Sequence, residues 1–194
     1  MHISFGGNFR QPRGFFFKHS ARSKENAILW QPVAIPSNFK EKETAMLQKL
    51  MKTSDDFAVT LLRLALGVVF FAHGAQKVLG WFGGYGFQAT LGFFTQQMHI
   101  PAALAVLAIA AEFLGGIGLL IGFLGRVAAF GIATDMVVAV TLVHRHVGFF
   151  ANWYGTQKGE GYEYHILAIT ICLAIMIKGS GALSIDRSAS RQLA

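Results

Sequence analysis

The sequence predicts an all-α, polytopic membrane protein, built as a four-helix transmembrane bundle with both termini cytoplasmic. Three observations carry that prediction. The 194 residues are 53% hydrophobic and 14% charged, with a mean hydropathy of +0.45, too apolar for a soluble domain of this size. Four apolar runs of membrane length lie between Asp56 and Asp186. Lysines and arginines gather at one set of segment ends, as cytoplasmic loops require.

The N-terminal part differs in kind. Residues 1–56 are basic, contain Phe15-Phe16-Phe17, Pro12, Pro32 and Pro36, and show no sustained helical period, so a disordered extension is expected. The extension has neither the apolar core nor the small-residue cleavage site of a secretory signal. Arg10, Arg13, Lys18, Arg22 and Lys24 precede the first acid, as in a mitochondrial presequence, but the aromatic triplet and the prolines spoil the amphipathic helix such a segment needs. Translation from Met46 or Met51 is the simpler alternative.

A bilayer core about 30 Å thick needs about 20 helical residues at 1.5 Å each. The runs are Phe57 to Leu79, Pro101 to Leu124, Arg126 to Val147 and Tyr164 to Lys178, within a domain covering residues 57–187; residues 188–194 are a C-terminal tail. Only Gly122 to Arg126 joins the second and third runs, which makes them antiparallel neighbours. Gly67, Gly74, Gly115, Gly118, Gly122 and Gly125 permit close helix contact, Gly118-x-x-x-Gly122 in the usual spacing.

Orientation follows from charge. Lys40, Lys42, Lys49 and Lys52 precede the first run, Arg126 occupies the tight hairpin, and Lys178, Arg187 and Arg191 follow the last. The loops 80–100 and 148–162 then face outward, rich in aromatic residues suited to the headgroup level, and residues 86–98 form a short surface helix. The net charge of +7 is accounted for in this way and gives no argument for nucleic acid. The lone Cys172 excludes an internal disulfide and a thiol-based metal cage, and reads as a small hydrophobe.

Ionisable groups inside the apolar runs decide what the protein can do. A charged, lipid-exposed side chain costs about 3 kcal/mol or more, so Arg63, Glu112 and Asp135 are expected to face the interior, with Arg63 paired to Asp135 and Glu112 left over as a neutral carboxyl. Nearer the outer surface come His73, Lys77, His144, His146, Glu163 and His165. At 100° per residue His146 shares the face of Asp135 while His144 points away, which favours His146 for an interior role. Simple snorkelling is the bland alternative for each of them.

Convergence of three runs at one depth suits a flat, redox-active headgroup such as a quinone, bound by His73, Lys77, His146 and Glu163 with Glu112 as proton relay. A haem held by two of His73, His146 and His165 is disfavoured for want of a facing pair, and no metal is expected, because carboxylates and histidines lack ligand spacing on any one helix. No Walker or dinucleotide-binding loop is present.

Several of these residues fall into motifs: Arg63 with His73-Gly74-x-x-Lys77, Glu112-x-x-Gly115-Gly116, His146-x-Gly148-Phe149-Phe150, Gly161-Tyr162-Glu163-Tyr164, and Gly179-x-Gly181-x-x-Ser184-x-Asp186. In this order they resemble the DoxX family of small four-helix membrane proteins, over residues Leu61 to Arg187. The resemblance implies a membrane component of an oxidoreductase system; the similar DoxD proteins are subunits of a thiosulfate to quinone oxidoreductase, and others are linked to protection against oxidative stress. It assigns no catalytic residue. The expectation is a multi-pass protein of the bacterial inner membrane, at most a subunit of a membrane oxidoreductase, with other redox subunits as partners. The alternatives are a non-catalytic scaffold docking a soluble redox enzyme, or a proton or solute pathway along Arg63, Asp135, Glu112 and His73.

Overall fold

The computed structural model describes residues 37–192, and the expectations for residues 1–36 lie outside it. The described chain is helical throughout: α1 Ser37–Met51, α2 Phe57–Leu79, α3 Gly86–Gly92, α4 Ala102–Ile121, α5 Gly125–Leu142, α6 Glu163–Lys178 and α7 Ile185–Gln192. Two elements depart from expectation. Ser37–Met51, part of the extension expected to lack order, is a helix, in keeping with its run of strong helix formers from Lys40 to Met51. The segment expected to be a tail beyond Arg187 belongs to α7.

Local chemistry explains where the long helices stop and start. Asp56 caps α2 by accepting the Ala58 and Val59 N–H groups at 2.9 and 3.4 Å. Gly122 ends α4 at φ +68°, a left-handed turn that glycine adopts freely, and α5 starts three residues later. The helix expected over residues 86–98 is present as α3 followed by a wide turn at Phe93–Gln97.

Helices α2 and α4 pack most intimately, followed by α5 against α6 and α4 against α5, while α2 also meets α6. The α2–α4 seam depends on missing side chains. A Cβ at Gly74 would lie 2.4 Å from the Phe113 Cα, and one at Gly116 would lie 2.4 Å from the Phe71 nitrogen. Close approach therefore runs through Gly67, Gly74 and Gly116. The expected Gly118-x-x-x-Gly122 pair divides instead, with Gly118 beside Ala128 of the hairpin and Gly122 against Ser184 of the returning chain.

A narrow core of Val59, Leu66, Phe70, Leu119, Ile132, Ala168, Cys172 and Ile175 fills the centre. Most other apolar side chains point outward: Val68 is 60% exposed, Leu107 64%, Phe130 60% and Leu167 65%. Water would not tolerate such a surface, and a lipid bilayer solvates it. Three helices, Phe57–Leu79, Ala102–Ile121 and Gly125–Leu142, are long and apolar enough to cross a membrane. The protein is a membrane protein.

Candidate functional site

Two buried polar clusters interrupt this apolar bundle. The first is centred on Arg63 of α2, only 1% exposed. Its Nε donates to the Ser180 carbonyl at 2.8 Å, Nη2 to Leu183 at 2.6 Å, and Nη1 to Leu120 at 3.0 Å and to Leu119. Leu119 and Leu120 belong to the last turn of α4, where the carbonyls have no intrahelical partner and the helix dipole is negative. Asp186, also buried, does the converse at the start of α5, accepting from the Leu124 and Gly125 N–H groups at 2.7 and 3.0 Å and from the Ser180 hydroxyl at 2.5 Å. The nearby Asp186 charge offsets that of Arg63.

This corrects the expected Arg63–Asp135 pair. The two residues lie toward opposite ends of the bundle, because Arg63 is level with the α4–α5 hairpin whereas Asp135 lies in the distal half of α5. The partner of Arg63 comes instead from the chain after α6, which folds back over the helix ends.

The second cluster joins three helices. Lys77 near the end of α2 forms an ion pair with Glu112 of α4, and Asp135 of α5 lies within hydrogen-bonding reach of Glu112 and close to the Lys77 charge. Glu112 is therefore not left over, as the sequence suggested, but is the hub. Two carboxyl groups within hydrogen-bonding reach are mutually attractive only if one of them carries a proton. With that proton the triad of Lys77, Glu112 and Asp135 is neutral, which is how charge survives in lipid.

The outer groups are not gathered as expected. His73 is exposed on the outer face of α2, among lipid-facing positions such as Val69. His146 is exposed too, its Nε2 accepting from Arg145 at 3.0 Å. The expected interior role falls to His144 instead, because α5 ends at Leu142 and the chain tightens into a 3-10 turn at His144–His146, so a phase of 100° per residue no longer applies. The His144 ring lies 4.1 Å from that of buried His165, and His144 Nδ1 is 2.8 Å from the Glu160 carbonyl. The Nδ1 of His165 is buried without a hydrogen-bond partner. Glu163 holds the loop 148–162, accepting from the Ala151 N–H and the Trp153 indole, both at 2.9 Å. His73, Lys77, His146 and Glu163 therefore do not form one headgroup site. Among the described residues no group of three or more histidine, cysteine, aspartate or glutamate side chains is arranged to hold a metal.

Comparison with known proteins covers the first two motifs, in α2 and α4, whereas the three motifs from His146 onward lie beyond the family match. The DoxX family model matches residues 58–145, from the start of α2 to the end of α5. Over that part of its length the chain is similar to the DoxX family. Two curated relatives extend the match. A Bacillus subtilis protein named "Putative oxidoreductase CatD" is 27% identical over 136 residues, 70% of this chain and 90% of its own length. An Escherichia coli protein named "Inner membrane protein YqjF" is 29% identical over 139 residues, 71% of this chain and 95% of its own length. No solved structure matches.

The DoxX match contains Arg63, Lys77, Glu112 and Asp135, whereas Tyr164, His165 and Asp186 lie beyond it. Asp186 was missed as a partner from sequence. The signal for Asp186 was its place in the closing glycine motif, since an acid after a tight glycine turn marks a chain reversing direction.

Proposed function

We propose that this DoxX-like protein is a quinone-interacting membrane component of an oxidoreductase complex in a bacterial inner membrane. In this reading α6 is the fourth crossing and both termini are cytoplasmic. At 16 residues α6 spans about 24 Å, and its flank Glu163 and neighbouring aromatic residues complete the passage. Basic residues Lys52, Arg126, Lys178 and Arg187 share the other end of the bundle.

The observation that carries the proposal is the Lys77–Glu112–Asp135 triad. It replaces the rim histidines as the headgroup site. A partly exposed ammonium donates to a quinone carbonyl, and the carboxyl pair beside it holds an exchangeable proton. Reduction of the ring takes two electrons, delivered by a partner redox subunit, and two protons. The carboxyl pair passes the protons singly and reloads from the aqueous rim. The name of the Bacillus relative supports an oxidoreductase setting.

The test is lipid extraction of purified protein for quinone, with quinone-linked electron transfer measured in Glu112→Gln and Lys77→Gln. Quinone retained by the native chain, and transfer lost in both variants, is the expected result. Unchanged transfer in both would end the proposal.

A second reading is a non-catalytic scaffold for a soluble redox enzyme. It is favoured by the ordered outer loop, in which Glu163 and Glu160 hold the backbone while Trp153 and Tyr154 point outward. Here the same substitutions lower partner retention, and turnover per assembled complex stays constant.

A further inference from the structure

At the basic end of the bundle a shallow, open cleft of about 490 Å³ lies between the end of α4 and α7. One wall is apolar and belongs to the lipid-facing band: Ile121 closes α4, and Leu183, 66% exposed, precedes α7. The opposite wall is polar. Ser184, Arg187, Ser188 and Arg191 follow one another at spacings of three, one and three residues, which aligns them on a single helical face, while Asp186 turns inward to the hairpin. Arg187 is partly engaged, pairing with Asp55 and donating to the Ala182 carbonyl at 2.9 Å. Arg191 is exposed and has no acidic partner among the described residues, and the Ser188 hydroxyl has no hydrogen-bond partner among them either.

A free guanidinium and a free hydroxyl facing a cleft whose other wall is continuous with the lipid band match one ligand chemistry, a phosphodiester tethered to acyl chains. We propose that this cleft binds an anionic glycerophospholipid of the adjacent leaflet. The phosphate is held by Arg191 and Ser188, with Arg187 alongside, and an acyl chain lies along Ile121 and Leu183. A guanidinium meets phosphate oxygens through paired N–H donors, and the apolar wall adds contact only for a phosphate that carries an acyl chain. The site is independent of the triad in the opposite half, so it stands whether or not a quinone binds there. Bound lipid would brace α7 against α4 and so reinforce the Arg63–Asp186 closure beneath it.

Titration of the full chain in neutral detergent with phosphatidylglycerol, with phosphatidylcholine of the same acyl chains and with inorganic phosphate tests the site, read by thermal shift and by native mass spectrometry of retained lipid. Phosphatidylglycerol alone should stabilise the protein and remain bound. Arg191→Gln should weaken its retention about fivefold, the loss of one basic contact near a membrane surface. Ser188→Ala should weaken it less, and Lys178→Gln, which removes an exposed charge at the same end outside the cleft, should leave it unchanged. Equal stabilisation by phosphatidylcholine, stabilisation by inorganic phosphate alone, or equal losses in Arg191→Gln and Lys178→Gln would each overturn the proposal, the last by reducing it to general surface charge.

Discussion

At the basic end, Arg63 is bound by four backbone carbonyls and its countercharge Asp186 by two backbone N–H groups and a serine; in the opposite half, Lys77 and Glu112 meet side chains that can titrate. Both clusters bury charge in an apolar bundle, yet only one can change its proton count without breaking backbone contacts. The guanidinium stays charged in proteins, and releasing it would leave the last turn of α4 unsatisfied in lipid. The first cluster is a closure, and the second is where chemistry fits.

Substitutions can break that comparison. The largest effect is expected at Arg63. Arg63→Leu strips four backbone carbonyls of their donor and removes the nearby charge that offsets buried Asp186, a loss of about 3 kcal/mol or more, seen as little folded protein or a low denaturation midpoint in detergent. Arg63→Lys should rescue little, because a single ammonium cannot serve carbonyls on both α4 and the returning chain. A stable Arg63→Leu variant would remove the distinction.

Next comes Glu112. In Glu112→Gln the neighbouring Asp135 can take over as counterion to Lys77, so folding should survive while quinone-linked turnover falls about 100-fold or more, as expected for loss of a proton donor. The double variant Glu112→Gln with Asp135→Asn should lose more stability than the sum of the single changes, because only then does Lys77 lack any carboxylate. Additive losses in unfolding measurements would show that the two acids do not share the task.

A smaller effect is expected at the loop 148–162, where Glu163→Gln keeps the shape but weakens the bonds to Ala151 and Trp153. A loss of about 1 kcal/mol, with higher protease sensitivity of loop 148–162, is expected. The smallest belongs to His146. Exposed and bonded only to Arg145, it should change stability by less than about 0.5 kcal/mol on replacement by Ala, and should leave electron transfer intact. Loss of activity there would restore the rim-histidine site.

Much of this organisation was legible in the sequence. The boundaries of α2 follow from Asp56 and Gly80, and those of α4 from Pro101 and Gly122, because capping and helix-ending turns are local. Glu112 and Asp135 were singled out as interior carboxyl groups and Lys77 as one of the groups nearer the surface, so all three were noticed but their pairing was misassigned. Counting depth from helix ends cannot supply the register between two helices, which here is set by Gly67, Gly74 and Gly116 meeting Leu120, Phe113 and Phe71. The place of His144 was lost for a related reason, since the helical phase ends where α5 ends.

The order of apolar helices, the turns between them and the identity of the few charged side chains within them were determined by the sequence alone, since each depends on composition and on neighbours a few residues away. Which charges meet was decided only by the tertiary structure. Pairing depends on how closely glycines let α2 approach α4, and on a chain that turns back after Lys178 to place Asp186 opposite Arg63, and both are relations between segments far apart in the chain.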